Sequence, residues 1–272
     1  MRVSLSTVVL STLLTGTLLA QNVSAAEPLR VGGTGSAIGV IENLGRDFSG
    51  VADTRLIVIP GLGSTGAINA LADRKLDMAA SARPLTASEQ AKGLRQAAVL
   101  RTAFVLATSR RQTSGLKTAD LAALYAAEKP VWDDGSPIRF ILRPRSESDT
   151  TLLGNIAPGM DKSIESLRQR VEVPVAATDQ DNVALAERLQ GSLTGTTLAQ
   201  IKTEQRHLSA IPLDGIEPTL ANLESGKYRF AKHLYLIVRA DGPADGEKFA
   251  GYLQSPRGRK ALRDWDCLLG DE

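Results

Sequence analysis

The stretch Leu56-Ile57-Val58-Ile59-Pro60-Gly61-Leu62-Gly63-Ser64-Thr65-Gly66 runs from an apolar, β-branched segment into glycines and hydroxyls, and Ala67–Leu76 follows with helical character. Four apolar residues bounded by Pro and Gly predict a buried strand, and the change of pattern after Gly66 predicts a strand–loop–helix unit. The same unit stands upstream, where Leu29–Val31 meets Gly32-Gly33-Thr34-Gly35-Ser36 and a helix over Ala37–Phe48. Downstream, Met78–Ser81 is a third strand, Ser88–Ala97 a helix, and Val99–Thr108 an apolar strand long enough to carry the chain into a second half. There the alternation resumes. Helices are predicted at Thr118–Tyr125 (with Thr118 as N-cap), from Thr150, at Lys162–Arg170, Asn182–Gln190, Asp245–Leu253 and Pro256–Asp264. Strands are predicted at Ile138–Leu142, Thr196–Ala199, Leu208–Ile211 and His233–Val238. Alternating strands and helices make an α/β protein.

Composition narrows the setting. Arg2, an apolar run Val8–Ala20 and the small residues Ser24-Ala25-Ala26 have the form of a secretory signal peptide over residues 1–26. No Cys stands at the cleavage junction and there is no twin-Arg pair, so the expected product is a soluble, unanchored periplasmic protein exported unfolded. The formal net charge of +2 offers no case for nucleic acid. Cys267 is the single cysteine, expected as a buried small hydrophobe, and with only His207 and His233 no zinc site or other cofactor is expected.

Three loops share one chemistry: Thr34-Gly35-Ser36, Gly63-Ser64-Thr65-Gly66 and Ser148-Asp149-Thr150 each open a helix with hydroxyls and small residues. Unpaired N–H groups and partial positive charge at helix N-termini favour a bound anion. Arg143 and Arg145 beside the third loop, and Arg83 after the third strand, add cations. Gly61-x-Gly63-x-x-Gly66 also fits a dinucleotide fingerprint, but an exported chain leaves the nucleotide pool behind, and no acid follows the next strand for a ribose. A serine hydrolase would need Gly-x-Ser-x-Gly, which Gly63-Ser64-Thr65-Gly66 lacks.

Gly33-Thr34-Gly35-Ser36, Gly63-Ser64-Thr65-Gly66 and Asp77-Met78-Ala79-Ala80-Ser81-Ala82-Arg83-Pro84-Leu85 resemble the first lobe of the phosphate-binding proteins of ABC transporters. Leu121-x-x-x-Tyr125, Lys129-Pro130-Val131-Trp132-Asp133-Asp134-Gly135 and Arg145-Ser146-Glu147-Ser148-Asp149-Thr150 resemble the second. The resemblance implies a periplasmic-binding-protein type II fold: two Rossmann-like lobes joined by two crossover strands, residues 27–103 with 234–272 and residues 104–233. It implies a monomeric, non-enzymatic binder of a small oxyanion, phosphate first, serving an ABC permease or a membrane sensor. The ligand contacts it implies are Thr34, Gly35, Ser36, Ser64, Thr65, Ser81, Arg83, Arg145 (or Arg143 if the loop is shifted), Ser148, Asp149 and Thr150. Two positions depart from the family. Ala82 stands where an Asp accepts the proton of phosphate, and Asp149 stands in place of Gly; Asp149 or Glu147 could restore the acceptor from the other lobe. Sulfate, a phosphonate, arsenate and small organic anions therefore stay open as ligands.

Overall fold

The computed structural model describes residues 27–270, and the expected signal peptide lies outside them. In chain order the elements are β1 (Leu29–Gly33), α1 (Gly35–Ser49), β2 (Leu56–Ile59), α2 (Gly63–Ala72), β3 (Met78–Ser81), α3 (Ala87–Gln90) and β4 (Leu94–Thr108). The second half holds α4 (Thr118–Ala126), β5 (Arg139–Phe140), α5 (Ser148–Gly154), α6 (Met160–Arg168), α7 (Asp179–Arg188), β6 (Ser192–Thr197), α8 (Leu198–Thr203), β7 (Ser209–Ala210) and α9 (Leu220–Glu224). The chain returns through β8 (Ala231–Arg239), α10 (Ala244–Gln254), α11 (Pro256–Asp264) and β9 (Leu268–Leu269).

The strands run in the order β2-β1-β3-β8-β4-β6-β5, with β7 and β9 also on β4. β1 pairs in parallel with β2 and β3, so the C-terminal ends of these three strands lie along one side of the sheet. β4 is the long member: its 15 residues span roughly 50 Å at about 3.3 Å per residue. Leu94–Ala103 pair with Arg239–Ala231 of β8, and Phe104–Ala107 then pair with Thr197–Thr194 of β6. β4 and β8 are thus the two crossovers between two α/β lobes.

Each lobe buries its own apolar residues. Val31, Val40, Ile41, Leu44, Leu236, Phe249 and Leu253 form one core, and Phe104, Leu106, Tyr125, Phe140, Met160 and Leu193 form the other. A smaller cluster of Ile68, Leu71, Leu76 and Ile237 seats α2. Each such side chain contributes roughly 1.5–3 kcal/mol on burial, so both lobes are held by apolar packing. Cys267 lies fully buried in the first core, where desolvation pushes its thiol up to about 12.

The structure corrects several expected elements. The helix expected over Ser88–Ala97 stops at Gln90, because Gly93 turns with φ +77° and Leu94 already pairs with Arg239. Free backbone on β8 recruits those residues as strand. β2, expected to be buried, is an edge strand with Ile57 45% exposed. Thr118 does not cap α4; its N–H and hydroxyl both go to the Asp214 carboxylate, at 2.8 and 2.7 Å. Leu198 and Ala199 leave the expected strand for α8, whose first turn is capped by the Thr197 hydroxyl accepting from Gln200.

Candidate functional site

A cleft of about 610 Å³ opens between the lobes. One wall is the first turn of α2, Gly63 to Gly66, with Ala82 and Arg83 beside it; the other holds Ser146, Glu147, Ser148 and Thr151, and β8 contributes Lys232, His233 and Tyr235. Gly61 and Gly63 take φ of +80° and +63°, conformations that favour glycine, and this turn points the start of α2 into the cleft. No side chain caps α2, a helix of ten residues, so its first N–H groups and dipole face the cavity.

Several hydroxyls and cations around the cleft are committed to local structure. The Ser64 hydroxyl accepts from the Ala82 N–H at 3.0 Å. Ser81 is buried within its own turn, donating to the Arg83 carbonyl at 2.7 Å. The Arg83 guanidinium grips both oxygens of Glu89, at 2.9 and 2.7 Å, and reaches the Thr65 hydroxyl at 3.4 Å. Glu89 in turn accepts from the Thr86 N–H as half of a capping box on α3. Arg83, then the Thr86 donors, hold the Glu89 carboxyl down at about 2. A carboxyl lowered by folding stabilises the fold above its unfolded value and loses that contribution as pH falls toward the folded one. Glu89→Gln is therefore expected to lower stability by about 1 kcal/mol at neutral pH. The deficit should vanish between pH 4.5 and about 2. Chemical denaturation across that range reads it.

Behind the cleft lies a buried charge cluster. Arg143, Asp149, Asp179 and Lys232 are each less than a tenth exposed. The Lys232 ammonium contacts the Asp149 carboxylate directly and stands 4.0 Å from Asp179. Arg143 lies 3.6 Å from Asp179 and 3.3 Å from Glu147. Burial pushes the Asp149 carboxyl above its ordinary range, with Lys232 opposing. For Lys232 burial alone would lower the ammonium, but the two carboxylates outweigh it and raise it. Asp179 also reaches the other lobe, where its Oδ2 accepts from the Ser36 N–H at 3.1 Å and lies 3.5 Å from the Thr34 hydroxyl.

The expected site residues thus divide. Thr34, Gly35, Ser36, Arg143 and Asp149 gather around Asp179 and Lys232, while Ser64, Thr65, Arg83 and Ser148 border the cleft. The Thr150 hydroxyl is spent on the carbonyls of Arg143 and Pro144, at 3.1 and 2.9 Å. Arg145 turns outward, 62% exposed, onto Glu165. Of the two arginines, the one beside the buried cluster is Arg143. Lys232 and Asp179 escaped sequence reading. Lys232 is in phase with the buried Leu234, Leu236 and Val238, and that inward charge was the available signal. Asp179 looks like an ordinary acid in a helix first turn, and its contact with Ser36 spans 143 residues.

Two α/β lobes strung on a pair of antiparallel crossovers, with a cleft between them, define the architecture of a solute-binding protein. The chain belongs to the PBP superfamily domain family, whose model matches residues 20–257. No curated protein matches it. Among solved structures it is similar to a protein described as a phosphate ABC transporter substrate-binding protein from Clostridium perfringens, with bound phosphate. That likeness has a TM-score of 0.72 at 15% identity, covering 90% of this chain and 100% of the other. An ABC-type phosphate transport receptor from Vibrio cholerae gives TM-score 0.58 at 17% identity, covering 89% and 100%. The periplasmic molybdate-binding protein of Azotobacter vinelandii gives 0.57 at 13%, covering 89% and 100%. At such identities the likeness establishes the fold.

Proposed function

We propose that this chain is a periplasmic solute-binding protein that takes a small anion in the cleft and presents it to an ABC permease or a membrane sensor. The observation that carries this reading is the uncapped start of α2, aimed into the cavity with the Thr65 hydroxyl and Arg83 beside it. An anion there would draw on backbone N–H groups, the helix dipole and a guanidinium already oriented by Glu89. The phosphate and molybdate named for the similar structures favour an oxyanion, phosphate first. The cleft volume of about 610 Å³ also has room for a small organic anion. The lobes are taken as residues 27–103 with 234–272 and residues 104–233, closing on a monomeric chain.

Thermal melting of the refolded mature chain against phosphate, sulfate, arsenate, a phosphonate and small carboxylates tests the proposal. Ligand at about 100 times its Kd stabilises by about 2.7 kcal/mol. An anion-specific rise is expected, reduced in Thr65→Val. No rise with any anion would reject an anion-binding role.

A further inference from the structure

The N-terminus of α1 already holds an anion, and the protein supplies it. The Asp179 carboxylate receives the Ser36 N–H at 3.1 Å, sits 3.5 Å from the Thr34 hydroxyl, 3.6 Å from Arg143 and 4.0 Å from Lys232. A backbone N–H, a hydroxyl, a guanidinium and an ammonium converging on one small anion are the donor set of an oxyanion site. The surroundings are built for the approach. A Cβ on Gly35 would stand 2.7 Å from Asp179 Oδ2 and 2.5 Å from Gln180 Oε1, so only glycine lets α7 come this close. Gln180 adds a second tie between the lobes, its amide donating to the Gly35 carbonyl at 3.0 Å.

Charge and hydrogen bonding point the same way. Arg143 and Lys232 balance Asp149 and Asp179 within the buried cluster, so deleting Asp179 leaves a positive charge there, offset only by the half-buried Glu147 at 3.3 Å from Arg143, beside the positive end of a 15-residue helix. Arg143 is buried with its Nε unpartnered, a donor that the tethered carboxylate does not reach. A free oxyanion carries more acceptor oxygens than a carboxylate and could use it.

We propose that Asp179 is a built-in ligand: its carboxylate occupies an oxyanion seat at the start of α1, latches α7 of one lobe onto α1 of the other without solute, and keeps inorganic oxyanions out of that seat. The seat takes a free oxyanion once the carboxylate is removed. This is separate from the α2 cleft, where the solute proposed above would bind with Asp179 in place.

Calorimetric titration of the mature chain with phosphate and with formate, in the wild type and Asp179→Gly, tests the latch. Asp179→Gly should melt below the wild type, recover with either anion, and show one binding event per chain that the wild type lacks, at least about tenfold tighter than any residual binding there. Asp179→Asn keeps the side-chain volume in the seat and should not gain that event. If Asp179→Gly does not fold, Asp179→Ser carries the same expectation. The proposal is overturned if neither small variant gains the event, or if Asp179→Asn gains it equally. Absence of cleft binding would show separately, as no event in the wild type and still one in Asp179→Gly.

Discussion

Lys232→Met is expected to lower the unfolding free energy by about 3–5 kcal/mol, the cost of stripping a buried ion pair of one partner. Lys232 is 2% exposed and faces Asp149 and Asp179, both buried, so its removal leaves two carboxylates to Arg143 alone. The pair itself contributes little net stability, since desolvating two charges offsets most of their attraction. Its loss in one half is what costs. Accordingly Lys232→Met combined with Asp149→Leu should recover most of the deficit, because the remaining Arg143 and Asp179 still balance. The single-variant deficit should also shrink toward acid pH, where a protonated Asp149 no longer buries a charge; burial already pushes that carboxyl upward in the native protein. Urea denaturation of the two variants measures both effects. A loss under about 1 kcal/mol for Lys232→Met would mean the cluster is solvated.

Gly33→Ala is expected to cost about 2–4 kcal/mol, from overpacking together with a weakened hydrogen bond. The new Cβ would lie 2.2 Å from the Ala80 carbonyl oxygen and 2.7 Å from its Cβ. Neither neighbour can move aside cheaply, for Ala80 is paired in register with Gly33 and its carbonyl accepts the Thr34 N–H at 2.9 Å. β1 must separate from β3, which displaces the Thr34–Ser36 turn and with it the contact to Asp179. Besides the lower stability, the variant should show faster amide exchange at Ser36 than at residues of α6. Equal exchange at both would show that the sheet absorbs the methyl without moving the turn.

The Leu56–Ile59 and Met78–Ser81 strands and the glycine turns between them are local matters of side-chain pattern and φ, and they stand where they were expected. The segment at 91–98 was not legible, because Leu94–Ala98 become strand only through the backbone that β8 offers from 140 or so residues away. The same limit governs the site. The hydroxyl-rich helix starts were visible as composition, yet the chain does not say which of them stay open.

The sequence by itself determined the α/β alternation, the places where helices begin on small and hydroxyl residues, and the resemblance to oxyanion-binding lobes. Those follow from interactions within a few residues. Only the tertiary structure decided that Arg143, not Arg145, turns inward, that Lys232 is buried with Asp149, and that Asp179 fills the start of α1. The last two outcomes depend on groups brought together across more than eighty residues, and the first on acids tens of residues further along the chain, where desolvation demands a partner that no local pattern can name.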